Sequence, residues 1–197
     1  MEVHMKRLAT AVLIAASLSS AQVSAQDLSV TITNLTHGMA FTPILVSAHD
    51  STGNLYDVGV TASLGLQKMA EGGDLTDLKA DLDTITATYT DSAAPLLAGS
   101  SVTVNLNADA ATGNTKLSVV SMLLPTNDAF LGLDAIDIPV ASGAYTYFLN
   151  AYNAGTEAND ELIELMGNGG TPGTPGIPNA PFITNQGTGG SGGVSGL

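Results

Sequence analysis

The chain has 197 residues, a net charge of −13, and neither cysteine nor tryptophan. So acidic a surface repels phosphate backbones and anionic lipid, which sets nucleic acid aside as a partner. Without cysteine there are no disulfides, thiol nucleophiles or thiolate metal sites, so a single domain with its own hydrophobic core is expected.

Residues 1–25 read as a secretory signal peptide. Lys6 and Arg7 precede an apolar stretch from Leu8 to Leu18, and Val23-Ser24-Ala25 gives the small-x-small ending of a cleavage site. The apolar run is too short to span a bilayer, and no later stretch approaches the roughly 20 residues a span needs. Cleavage after Ala25 leaves 17 acids against 3 bases, Lys68, Lys79 and Lys116. A secreted, extracellular or periplasmic protein is expected.

Residues 26–166 carry the pattern of a folded domain. "LSVTITNLT" (28–36) alternates Leu28, Val30 and Ile32 with Ser29, Thr31 and Thr33, the period of a half-buried strand. "FTPILVSAHD" (41–50) reads as a second strand, with Pro43 near its start, where a missing donor matters least. Between 61 and 83 the pattern changes. Leu64, Ala70, Leu75, Leu78 and Leu82 are separated by charges, and Gly72-Gly73 divides two short helices, the second starting near Asp74. Strands follow over 84–91, 100–109, 115–125 and 144–153, rich in Val, Ile, Thr and Tyr. "DAATGN" (109–114) reads as a hairpin connection. Repeated short strands with one helical insertion predict a mainly β, antiparallel β-sandwich.

From residue 167 to 197 the composition shifts again. This tail holds 11 of the 22 glycines, 4 of the 8 prolines and no charge. It is expected to stay out of the core, as flexible or extended chain. Its apolar island "PFIT" (181–184) is expected to dock on the domain or on a neighbour.

The stretch "MLLPTNDAFLGLDAIDIP" (122–139) ends an apolar run at a proline, then places Asn127 and Asp128 on a turn just before Phe130. Further on stands "YFLNAYNAGTEANDE". The two segments, in this order, resemble the spondin domain, the amino-terminal type of F-spondin and mindin, also found in secreted microbial proteins. "VTITNLTHGMAFTPILVSAHD" and "DVGVTASLGLQKMAEGGD" are similar to the family's opening segment and helical insertion, so the resemblance runs from about Leu28 to Glu161.

The resemblance implies an eight-stranded antiparallel sandwich like that of calcium-dependent lipid-binding modules. It also implies a calcium site built from the two motifs, whose positions fall on Asp128, Asn153 and Glu157. Ca²⁺ takes several hard oxygen ligands, and loop carboxylates with backbone carbonyls supply them. Asn153 stands where the family has an aspartate, which removes one charge and predicts weak binding. On this reading Asp128 is exposed as a prospective ligand, and Phe130 is buried to fasten the turn. The other reading is that Asp128 and Asn153 are turn residues, as Asp and Asn often are. The family pattern also has a last strand, whose place here falls in the tail, so either the sandwich lacks an edge strand or "PFIT" supplies it.

Elsewhere the residues argue for structure. His37 and His49 stand at strand edges at a spacing that matches no ligand motif, and hydrogen-bonded structural roles are expected. Asn34-Leu35-Thr36 is a glycan acceptor sequence. Ser47, Ser63 and Ser121 lack a nucleophile-elbow context, "EGGD" and "GGSGG" lack the Lys-Ser/Thr of a phosphate loop, and Asp134 and Asp137 are assigned to a solvated edge. No catalytic constellation emerges, so the expected function is binding or adhesion. The expected partner is an extracellular protein or a glycan, and the expected cofactor is weakly bound Ca²⁺. The alternative is a structural subunit of a matrix, surface layer or filament that self-associates through its tail or an open sheet edge.

Overall fold

The computed structural model describes residues 26–108, 113–157 and 194–196. The signal segment and the island at 181–184 lie outside them. Among the described residues there are nine strands and two helices. They run in the order β1 (Gln26–Thr33), β2 (Ala40–Phe41), β3 (Leu45–His49), α1 (Leu64–Gly72), α2 (Thr76–Thr84), β4 (Thr88–Asp91), β5 (Ser101–Ala108), β6 (Lys116–Leu124), β7 (Ala129–Asp137), β8 (Asn150–Asn153) and β9 (Ser195–Gly196).

These strands make two antiparallel sheets. β1 and β5 pair along their full lengths, from Gln26 opposite Ala108 to Thr33 opposite Ser101. The larger sheet runs β4-β3-β6-β7-β8-β9, with β2 beside the end of β6. The period-2 pattern of β1 does what it predicts. Its outer face carries a hydroxyl ladder, Thr31 to Thr103 and Thr33 to Ser101, each at 2.8 Å. The inner face of the pair packs Ile32 of β1 and Val104 and Leu106 of β5 against Val46, Val119 and Leu131 of the larger sheet.

The opposite face of the larger sheet is covered by the helices. Leu66, Met69 and Ala70 of α1 and Leu78 and Leu82 of α2 meet Leu45, Val120 and Phe130 there. Each large side chain so buried contributes about 1.5–3 kcal/mol. Covered on both sides, β3 is buried at every position. The glycine pair separates the helices as expected. Gly73 ends α1 in the left-handed conformation (φ 69°), its N–H donating to the Met69 carbonyl at 2.8 Å. Asp74 accepts the Thr76 N–H at 2.9 Å, but it stands one residue before the N-cap position, which Leu75 occupies without a side-chain capping bond.

Several boundaries differ from the sequence reading. Pro43 divides 41–50 into β2 and β3, and the freed Ile44 N–H donates to the Ser92 hydroxyl at 2.9 Å. Residue 84 ends α2 rather than starting β4. Of 144–153 only Asn150–Asn153 is strand, and residues 141–148 form an exposed loop. Residues 129–137, where acids interrupt the apolar pattern, form β7. At the far end of the tail, Ser195 and Gly196 pair with Asn153 and Tyr152, so the end of the chain covers the β8 edge.

Candidate functional site

The turn between β6 and β7 is organised by Thr126. Its hydroxyl donates to the Leu123 carbonyl at 2.5 Å and accepts the Ala129 N–H at 3.1 Å. Asp128 follows, and its side chain reaches across to the turn after β8. The carboxylate Oδ2 accepts the backbone N–H groups of Thr156 at 2.8 Å and Glu157 at 3.1 Å. The Asp128 carbonyl accepts the Ala154 N–H at 3.0 Å. Asn153 shapes the same turn, its Oδ1 accepting the Gly155 N–H at 2.6 Å, with Gly155 at φ 73°. The two motifs therefore meet, and Asp128, Asn153 and Glu157 belong to one junction.

The exposure expected for Asp128 is corrected. It is 0 % exposed, with Asn153 at 2 % and Glu157 at 7 %. Backbone amides have taken the place of water around its carboxylate, which makes burial affordable for a charge. Phe130 is buried as expected. It packs edge-on against Tyr56, with ring centroids 5.1 Å apart, and stacks on Tyr152 at 5.5 Å.

The structure adds a residue that the motifs did not include. Glu71, in the last turn of α1, is 3 % exposed, and one of its oxygens accepts the Gln67 amide at 2.9 Å. Burial pushes its carboxyl up, an effect opposed by the Thr156 hydroxyl and the Gln67 amide and reinforced by the charge on Asp128. Burial likewise raises Asp128, against the lowering pull of the Glu157 and Thr156 amides. The available signal was position: Glu71 directly follows Ala70 in the apolar stripe of α1. Among the described residues no three His, Cys, Asp or Glu side chains converge as a ready-made metal site.

Several of the remaining candidates have structural partners, whereas His37 is exposed and the buried Ser47 hydroxyl has no hydrogen-bond partner among the described residues. Asn34 is buried, its amide donating to the carbonyls of Met39 at 2.8 Å and Leu96 at 3.1 Å, which removes it as a glycan acceptor. Ser63 caps α1 by accepting the Leu66 N–H at 3.1 Å. His49 is wholly buried, with Nε2 2.8 Å from the Ser118 hydroxyl. Asp137 is exposed and pairs with Lys116 at 2.6 Å, whereas Asp134 turns inward and accepts the Leu55 N–H at 2.8 Å. The solvated-edge assignment therefore fits Asp137 and is corrected for Asp134, which a bulge in β7 turns toward the sheet face.

Two antiparallel sheets with a helical cover and a polar junction between adjacent loops define a mainly β sandwich domain. A family model described as Spondin_N matches residues 33–160, more than half of the chain, and the chain belongs to that family. That span includes both turn motifs and both helices, and the family is one of non-catalytic domains. No curated protein matches the chain.

Proposed function

We propose that this protein is an exported binding or adhesion module of the spondin family, in which Ca²⁺ stiffens the joint between the turn holding Asp128 and the turn holding Glu157. One observation supports this most. Glu71 and Asp128 are buried acids, each raised by burial, and the charge of Asp128 raises Glu71 further. A divalent cation would favour the ionised forms of both. The donor chemistry fits, because carboxylates, the Asn153 amide oxygen and backbone carbonyls are the oxygens calcium takes. The three site acids do not form a finished cage, so the ion would draw on carbonyl oxygens of the two turns, and its binding is weak. When bound, it supplies positive charge between the loops, while the Asp128 contacts to the 156–157 amides hold the turns in register.

The partner is an extracellular protein or a glycan. The surface suited to it is the exposed loop after β7, where Val140, Tyr145, Tyr147 and Phe148 face outward with no charged residue between Ile138 and Thr156. Apolar side chains grouped on a surface mark interaction sites. The structural-subunit alternative has less support, because the β8 edge is covered by β9 of the same chain.

The test is a glycan-array and surface-binding screen of the exported protein with calcium or chelator, repeated with Phe148→Ser and Asp128→Ala. Ligand capture that Phe148→Ser abolishes and chelator weakens supports the reading. Capture indifferent to calcium, to Asp128→Ala and to Phe148→Ser rejects it.

A further inference from the structure

The smaller sheet has an edge that no strand covers among the described residues. β1 pairs only with β5, without a register shift from Gln26 to Thr33. The Asn34 N–H donates to the Ser100 carbonyl at 2.9 Å, continuing that register. Bonded and non-bonded pairs alternate along an antiparallel ladder, so Leu28, Val30 and Ile32 exchange hydrogen bonds with β5. Ser29, Thr31 and Thr33 turn their own N–H and C=O groups to the other side, where no backbone group of the described residues meets them.

Exposed edges of this length are normally blunted by proline, lysine or a bulge, and β1 has none of these. Its one charge, Asp27, accepts the Asn107 amide at 2.6 Å. Residues 28–49 and 92–108 contain no Asp, Glu, Lys or Arg, so this is a neutral side of an acidic chain. The outer face of the pair is a row of small polar side chains, Ser29 beside Asn105, Thr31 beside Thr103 and Thr33 beside Ser101.

An added strand would also meet a floor. β5 lies against β3 and β4, and the Gln26 amide of β1 donates to the Pro139 carbonyl, just past β7, at 2.8 Å. β1 therefore lies over the middle of the larger sheet, and β7 and β8 continue beyond it. Leu133 of β7, Ala151 of β8 and Leu149 just before it are only half-buried on that face, as are Leu28 and Val30 of β1. The sandwich thus has a step, with a backbone edge at one side and an apolar ledge below.

The step selects its occupant. A second copy related by a two-fold axis would bring its own overhanging β7 and β8 into the same space, so the two ledges would collide. Residues 158–193 contain no strand-length alternation of apolar and polar residues, and Pro178 and Pro181, which lack donors, precede their Phe182-Ile183 pair. A separate extended segment meets neither obstacle.

We propose that the open edge of β1 receives an extended, uncharged segment of a partner protein as an added strand, its apolar side chains on the ledge of Leu133, Leu149 and Ala151 and its hydroxyl side chains continuing the outer row. The proposal is independent of the calcium reading.

The test is amide hydrogen exchange of the whole exported protein, read by nuclear magnetic resonance, with and without a capped peptide of alternating threonine and valine. Without peptide, Ser29 and Thr31 should exchange near their intrinsic rates while Val30 and Ile32 are protected. Peptide at about ten times its Kd should slow Ser29 and Thr31 about tenfold. The same peptide N-methylated at every residue has no donors to offer and should leave them unchanged. Thr31→Pro removes an outward N–H, keeps the bonds to β5 and should weaken binding about tenfold, whereas Thr31→Val should bind as the parent does. Protection of Ser29 and Thr31 without peptide overturns the proposal: at every protein concentration it would show an edge covered by the chain itself, and only at high concentration an edge covered by a second copy. Peptide that fails to protect them, that works equally well when N-methylated, or that binds Thr31→Pro as tightly as the parent also overturns it. The measurements on the unsubstituted protein remain decisive if Thr31→Pro does not fold.

Discussion

Phe130 and Tyr152 stand opposite each other on β7 and β8, and their rings stack with centroids 5.5 Å apart. Asp128 lies two residues before the first ring and Asn153 one residue after the second. The aromatic pair therefore fixes the spacing of the two turns that carry the candidate site. Phe130→Ala should cost about 3–5 kcal/mol, the usual range for a buried aromatic. Urea titration measures it, and a loss below about 1 kcal/mol would show that the ring is not a core anchor.

Calcium should raise the melting temperature, because an ion that binds only the folded state stabilises it by mass action even at weak affinity. Asp128→Ala should abolish most of the rise, and Asn153→Asp should enlarge it by restoring a charge. Both substitutions also touch turn contacts, so the comparison is between calcium and chelator within each variant. Coincident thermal scans in all three proteins would remove calcium from the account.

Lys79 pairs with Asp91 at 2.6 Å, tying α2 to the edge strand β4, and this bond holds the Asp91 carboxyl below its ordinary value. A lowered carboxyl contributes stability that is present above its unfolded value and lost as pH falls through its folded value. The pair is partly exposed, so the contribution stays below about 1 kcal/mol. Lys79→Met should lose it at pH 6 and match the parent at strongly acidic pH. Equal stability differences at both pH values would show that the ion pair is not responsible.

Ala93, exposed after β4, sits at φ 57°. Left-handed backbone costs an L-residue about 1–2 kcal/mol, while glycine adds about 0.5–1 kcal/mol of chain entropy. Ala93→Gly should therefore stabilise the fold by about 0.5–1 kcal/mol in denaturant titration. A destabilised variant would mean that the bend is held without strain.

Val194 is buried against the 58–60 loop, its carbonyl accepting the Gly59 N–H at 2.8 Å. Removing residues 194–197 should lower stability and uncover the β8 edge, which light scattering would register as association. A truncated protein that keeps both its stability and its monomeric size would show that β9 adds nothing to the fold.

The layered arrangement was largely legible, because the alternation in β1 and β5 and the glycine pair between the helices are local signals. β7 was harder to see, since Asp134 and Asp137 interrupt its apolar pattern and only the bulge explains how one turns inward and the other outward. At the candidate site, the motifs brought Asp128, Asn153 and Glu157 together, but not their burial. That burial depends on amides of a turn far along the chain, and turn chemistry alone does not reveal which carboxylate they enclose. Glu71 was missed because a helical stripe does not say what faces it. The family pattern put a last strand in the tail, but its residues were not legible, because Val194-Ser195-Gly196 lies in glycine-rich sequence whose composition gives no sign of pairing.

The two ends of the folded region are gripped unequally. β1 is joined to β5 by eight register pairs, whereas β9 holds β8 by two. Under tension along the chain, as on a protein tethered between two surfaces, the carboxyl-terminal grip slips first. Slipping bares Asn153, which faces Ser195, and withdraws Val194 from the 58–60 loop. A pull thus reaches the candidate site while the sandwich is still whole, and the smallest strand of the fold serves as its mechanical fuse.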